Sequence, residues 1–205
     1  ITNKSNPIFN AGSIAVLKGS LAPNSAIIKQ SAASENLLIH EGKAVVFEGL
    51  EDLANRIDTD DLDVTKDDVL VLKSIGPKGG PGMPEAGLIP IPKKLARQGV
   101  KDMVRISDGR MRGTASGTIV LHVAPEAAIG GPLNYVQNGD EIYLNVNTRV
   151  LKLLVSDEEL QFRKENIPIK NSAPSRGYGK LFFDHVTQAP QGVDFDFLVG
   201  VDAES

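Results

Sequence analysis

Val69-Leu70-Val71-Leu72 leads without interruption into Lys73-Ser74-Ile75-Gly76-Pro77-Lys78-Gly79-Gly80-Pro81-Gly82-Met83-Pro84-Glu85. The apolar run reads as a strand that feeds a loop. Seven of the ten residues from Gly76 to Glu85 are Gly or Pro. Glycine admits backbone conformations and close approaches that a Cβ would block, while proline stiffens the path between them. Ordering such a loop is costly unless it must hold a shape, and loops of imposed shape often carry function. This one ends on a carboxylate, Glu85.

Outward from that stretch the chain alternates short apolar runs with turns. Ile14 to Leu17 and Ala26 to Ile28 flank Lys18-Gly19-Ser20-Leu21-Ala22-Pro23-Asn24, a strand–turn–strand pattern. Lys43 to Phe47 is a short β segment. Leu50, Leu53, Ala54 and Ile57 recur at helical spacing and predict an amphipathic helix over 51–57. The acidic run Asp58 to Asp68 lacks the central Gly and closing Glu of a calcium loop and reads as a solvated connection. Ile91 to Gln98 predicts a helix with a Lys/Arg face, closed by Gly99. Met103 to Ile106 is a further strand.

A second glycine-punctuated loop runs from Ser107 to Gly117, ahead of the apolar run Thr118 to Val123. Asn138-Gly139-Asp140 is a turn signal before the alternating Ile142, Leu144 and Val146, and Leu151, Leu153 and Val155 alternate in the returning strand. Ser156 and Glu159 fit a capping box for a helix running to about Glu165. In the tail, Phe182-Phe183 and Phe195 to Val199 are the apolar anchors. Strands outnumber helices and single turns separate many of them. The fold class is therefore mixed α/β, a β-barrel or sandwich with a few helices packed outside, rather than a doubly wound parallel sheet. One domain over 1–205 is expected.

The chain has 205 residues, 41% of them hydrophobic and 23% charged, which is enough for one substantial core. The net charge of -4 and the lack of a basic, aromatic-interleaved cluster disfavour nucleic-acid binding. No apolar run approaches the roughly 20 residues of a membrane helix, and no signal pattern opens the chain. A cytoplasmic location is expected, with a mitochondrial one as the alternative. The first residue, Ile1, suggests a fragment or a processed product. With no cysteine and only three histidines (His40, His122, His185), thiolate chemistry and a local zinc motif are excluded within this chain.

The two glycine-rich loops carry most of the polar chemistry. The first offers Lys78 and Glu85, the second Ser107, Asp108, Arg110, Arg112, Thr114 and Ser116. The first has neither the residue order of a phosphate-binding loop nor a helix immediately after it, so nucleotide binding is disfavoured. Glu85 can be a solvated carboxylate, an ion-pair partner or a ligand to a hard cation such as Mg²⁺. Arg110 and Arg112 fit ion pairs or a clamp on an anionic substrate. His122, in an apolar run, reads as a core histidine.

These residues carry a resemblance. Leu17-Lys18-Gly19-Ser20-Leu21-Ala22-Pro23, Gly76 to Glu85, Ser107-Asp108-Gly109-Arg110-Met111, His122-Val123-Ala124-Pro125-Glu126-Ala127-Ala128, Gly130-Gly131-Pro132 and Leu153 to Leu160 occur in order along nearly the whole chain. Together they resemble the C-terminal domain of the dihydroxy-acid and sugar-acid dehydratase family, which includes phosphogluconate dehydratase. Pro84-Glu85-Ala86, Ile91 to Ala96 and Asp194 to Leu198 resemble the sugar-acid (aldonate) branch.

The resemblance implies a two-domain hydro-lyase that removes water from a 2,3-dihydroxy acid to leave a 2-keto-3-deoxy acid. It implies an iron–sulfur cluster and Mg²⁺, with the cluster cysteines and most metal ligands in an N-terminal domain outside this chain. A swivelling β-barrel, a dimer or tetramer at full length, and partnership with its own N-terminal domain and an aldonic acid are implied too. Glu85 maps onto a Mg²⁺ ligand, Arg110, Ser107 and Asp108 onto substrate-binding positions, and Thr114 beside the family's base serine. That serine is replaced here by Arg112. A guanidinium stays protonated and cannot accept the C2 proton. General-base help is worth about 10²–10⁴ in rate, so even the complete protein is expected to be impaired or altered, or to serve as a binding or regulatory protein. The 205 residues alone are expected to show no turnover. Ser20 stands where relatives usually have Asn.

Overall fold

The structure is a computed structural model, and it describes residues 3, 5–6, 12–110, 116–170 and 173–198. Eight strands close a barrel: β1 (Ala15–Gly19), β2 (Ala22–Ile28), β3 (Ile39–Phe47), β4 (Val69–Leu72), β5 (Arg105–Ser107), β6 (Ile119–Ala124), β7 (Glu141–Asn145) and β8 (Val150–Leu153). Around the barrel they run in the order β1-β2-β6-β5-β4-β3-β7-β8. Closure gives every strand a partner on both sides and removes the edges that would invite pairing with another chain. The barrel alternative of the sequence reading is the one observed.

Strand direction decides where the loops emerge. β3, β4, β5 and β6 are mutually parallel, and β1 and β8 are parallel to each other. β2 runs against β1 and β6, and β7 against β3 and β8. All strands but β2 and β7 therefore point the same way, so the loops after β3, β4, β5 and β6 leave from one rim.

Side-chain alternation explains the two kinds of strand. In β1, Ala15 and Leu17 are buried while Val16 is exposed, the pattern of a strand with one face in solvent. In β4, Val69 and Val71 point into the barrel, and Leu70 and Leu72 point into a second apolar cluster outside it. That outer cluster is roofed by α1 (Leu50–Arg56) and α2 (Lys93–Arg97) through Leu53, Ile57 and Leu95. A strand covered on both faces has no polar position, hence Val-Leu-Val-Leu.

The differences from the sequence reading have local causes. The α1 region buries only Leu53 and Ile57, leaving Leu50 and Ala54 exposed, so its apolar stripe is narrower than the spacing predicts. α2 begins at Lys93 because Pro92 is extended and caps the helix, its carbonyl accepting from the Leu95 and Ala96 amides. β5 is Arg105–Ser107, two residues beyond the predicted start; Met103 is packed in the outer cluster instead. β3 starts four residues early, at Ile39, where a Cβ on Gly42 would lie 2.2 Å from the Asp67 carbonyl. The turn between β1 and β2 is only Ser20-Leu21, and the Ser20 hydroxyl accepts from the Leu153 amide and donates to its carbonyl, tying that turn to β8.

α3 (Asp157–Asn166) starts as predicted on Ser156, which accepts from the Glu159 amide at 3.1 Å. The reciprocal half of the box does not form, since the Glu159 carboxylate turns to Arg163 at 2.7 Å. α4 (Gly177–His185) lies in the tail, where the sequence reading has only apolar anchors. Among the described residues no helix is long and apolar enough to cross a membrane.

Candidate functional site

Two fully buried carboxylates hold the glycine-rich loop onto the rim. Asp108, just after β5, accepts from the amides of Ser74 at 3.2 Å and Ile75 at 3.0 Å, at the start of the loop. Its Oδ2 also accepts from the Ala127 amide at 2.9 Å, which ties in the segment after β6. Glu126 accepts from Lys78 (2.9 and 3.0 Å) and Gly79 (2.9 Å) farther along the same loop. Backbone amides satisfy buried carboxylates only when the chain comes close, and glycine makes that approach possible. A Cβ on Gly76 would sit 2.6 Å from a Glu126 oxygen, and one on Gly79 would sit 2.7 Å from the Ser74 carbonyl carbon.

Burial pushes the Asp108 carboxyl up to about 6, with the neighbouring Glu126 adding to the rise and the three amides opposing it. His122, in a left-handed conformation (φ 52°), donates its amide to the Gly109 carbonyl. Burial lowers its pKa, Arg110 lowers it further, and the imidazole is neutral at pH 7.

At the far end of the loop Glu85 meets Arg110. The Arg110 Nη1 donates to Glu85 Oε1 at 2.8 Å, and its Nε donates to the Met83 carbonyl at 2.6 Å. Both side chains of the pair are about two-fifths exposed. The Gly87 amide donates to the Arg110 carbonyl at 2.8 Å, so the two glycine-rich loops abut along their backbones as well. Ser107 lies beneath them, fully buried, its Oγ accepting from the Gly109 amide at 3.0 Å. Of the predicted site residues, Glu85 and Arg110 thus come together at the surface, and Ser107 and Asp108 are internal supports of the loops. Arg112 and Thr114 lie outside the described residues.

Several groups on this rim escape a reading of the sequence. Glu126 enters it only as part of a motif; a glutamate flanked by Pro and Ala-Ala, with glycine-rich segments on either side, is the signal that could mark it. Lys73 and Glu48 escape it too. Lys73 is buried, with its Nζ donating to Glu48 Oε1 at 2.9 Å and the Asn134 carbonyl at 3.0 Å, while Lys170 reaches the other Glu48 oxygen at 3.1 Å. Burial alone would raise Glu48, but Lys73 and Lys170 hold it below the usual carboxylate value; burial depresses Lys73. Glu48, Lys73, Asn134 and Lys170 line a cavity of about 290 Å³.

The donor set bounds the metals the site could take. Glu85 offers one accessible carboxylate, a fit to a hard cation that takes one or two carboxylates and completes its shell with other oxygens. Among the described residues no group of three or more His, Cys, Asp and Glu could hold a metal ion. The chain has no cysteine, so its own residues do not fit an iron–sulfur cluster.

The residues that build this rim lie within a stretch that is similar to known proteins. The profile of the dihydroxy-acid/6-phosphogluconate dehydratase C-terminal family matches residues 1–193. The L-arabonate dehydratase of Azospirillum brasilense is 50% identical over 200 residues, 95% of this chain and 34% of the relative. The 6-deoxy-6-sulfo-D-gluconate dehydratase of Pseudomonas putida is 47% identical over 201 residues, 97% of this chain and 35% of the relative. The dihydroxy-acid dehydratase of Clostridium beijerinckii is 40% identical over 192 residues, 93% and 34% respectively. The chain spans about a third of the length of these curated relatives. Since the match runs through both glycine-rich loops and the carboxylates that clamp them, this chain belongs to the dihydroxy-acid/6-phosphogluconate dehydratase family and represents its C-terminal domain.

Proposed function

We propose that this chain is the C-terminal part of a hydro-lyase that converts a 2,3-dihydroxy sugar acid into a 2-keto-3-deoxy acid. The observation that carries the reading is the half-exposed Glu85–Arg110 pair, held at the rim by a clamped loop, in a chain whose relatives at 47 and 50% identity are named sugar-acid dehydratases. The rest of the active protein, including an N-terminal domain with the iron–sulfur cluster, is proposed to come from outside these residues, and the full-length protein to assemble as a dimer or tetramer.

In this reading Glu85 is the chain's single ligand to Mg²⁺. The ion would supply positive charge at the carboxylate end of the substrate. Arg110 holds Glu85 through a surface ion pair, an interaction worth about 0–1 kcal/mol, beside its hydrogen bond to the Met83 carbonyl. Once released, its guanidinium is free to take an anionic substrate group. Burial of Asp108 and Glu126 under the loop keeps Glu85 at one place while that exchange happens.

Dehydration removes the C2 proton and the 3-hydroxyl together as water, and the resulting enol becomes the 2-keto group. The position of the family's base serine holds Arg112, which cannot take that proton. That leaves two readings: impaired or altered dehydration, or a member that binds without turnover. The full-length chain, loaded with cluster and Mg²⁺, should form 2-keto-3-deoxy acid from a panel of aldonates at least tenfold faster after Arg112→Ser. Equal rates for the two proteins would overturn the role given to Arg112. Full activity with Arg112 in place would sink the binding-only reading.

A further inference from the structure

Glu126 has a partner outside the two loops. Gln188, which comes after α4, donates from Nε2 to Glu126 Oε1 at 2.6 Å, and its Oε1 accepts from the Glu126 amide at 3.0 Å. The side chain thus grips both the carboxylate and the backbone of one buried residue. A second contact lies alongside: Lys78, whose amide Glu126 binds, places its Nζ 4.9 Å over the ring of Phe183 in α4.

The segment that provides these contacts is built largely on itself. Phe182 packs edge-on against Phe195 at 5.8 Å between ring centres. Val186 bridges to Phe195, and Thr187 exchanges hydrogen bonds with Asp194 through its amide and its hydroxyl. No residue of α4 is buried, and Val186 is the segment's only contribution to the buried apolar set among the described residues. A segment that adds so little apolar burial does little for the core, yet it sends a primary amide to a fully buried carboxylate. That carboxylate is the group that holds the glycine-rich loop.

We infer that residues 177–198 form a strap that sets the position of the glycine-rich loop through Gln188 and Glu126, with Gln188 as a positioning residue. Its consequence for function rests on the proposed role of Glu85 as a metal ligand. The route is continuous: Gln188 fixes the Glu126 carboxylate, that carboxylate fixes the Lys78 and Gly79 amides, and the loop beyond them ends at Glu85. Hydrogen bonds to a buried charged group contribute enough that losing one should raise local opening about tenfold or more.

Hydrogen exchange of the full-length protein tests this. In Gln188→Ala the amides of Lys78 and Gly79 should exchange about tenfold faster than in the wild type, while β4, β5 and β6 keep their protection. Gln188→Glu replaces the donating amide by a second acceptor against Glu126, and should speed exchange of the same two amides at least as much as Gln188→Ala. Unchanged loop exchange in Gln188→Ala, or a loss spread evenly over the barrel, would overturn the strap. A Mg²⁺ titration of the same proteins separates the two proposals. Weaker binding in Gln188→Ala supports both; faster loop exchange with unchanged Mg²⁺ affinity supports the strap and removes Glu85 from the metal's ligands.

Discussion

Asp108 is where burial and charge oppose each other most directly. Its carboxyl rises from 3.8 to about 6, so between those values the folded protein holds a proton that the unfolded chain has released. Stability from this group is therefore present at low pH and is lost as pH rises through about 6, up to about 3 kcal/mol in all. Asp108→Asn carries no such titration. Urea unfolding of the two proteins across pH 4 to 7 should show the wild type losing stability relative to Asp108→Asn as pH rises; a constant difference would refute it. The residue itself is legible in the sequence as part of the Ser107-to-Gly117 loop. Its role is not, because a sequence does not show which carboxylate is removed from water.

At the scale of elements, the two glycine-rich loops act as one unit because their backbones touch. A Cβ on Gly87 would lie 2.5 Å from Leu121 Cδ2 and 2.8 Å from the Arg110 carbonyl oxygen. Gly87→Ala should destabilise the domain by about 1–3 kcal/mol, as overpacking does, with Glu85 and Arg110 drawn apart. Thermal unfolding and a crystal structure of the variant check both parts, and an unaltered Glu85–Arg110 distance would show that the loops do not depend on this contact. Some elements are plainly legible in the sequence. Val69–Leu72 and the Ile142/Leu144 and Leu151/Leu153 strands appear where apolar runs and alternation place them, and Ser156 caps α3 as its spacing demands. α4 is not, because its Leu181, Phe182 and Phe183 do not repeat at helical spacing and nothing in it is buried.

At the scale of the molecule, the barrel is complete, while the proposed reaction draws on more than this chain. Its strands are all paired around the ring, whereas Glu85 is the one carboxylate that the proposed function assigns to a cation and the whole chain offers no thiolate. The 205-residue chain should therefore unfold cooperatively on heating, yet release no 2-keto-3-deoxy acid from any aldonate in a coupled assay with Mg²⁺ present. Turnover by this chain alone would show that the reaction does not need the domain proposed to hold the cluster.

The sequence by itself determined the mixed α/β class, most strand positions, the family, and the existence of two shaped loops, because periodicity and Gly/Pro placement are local properties. The proposed place of Arg112 at the position of the family's base serine likewise rests on the resemblance of the sequence alone. Only the tertiary structure decided that the strands close into a barrel whose β3 to β6 open their loops at one rim. It alone brought Asp108 and Glu126 beneath the glycine-rich loop and set Gln188 against Glu126 from 62 residues away. Those contacts depend on chain closure over long sequence separations, and the physical reason for them is the need of a buried carboxylate to find donors once water is gone.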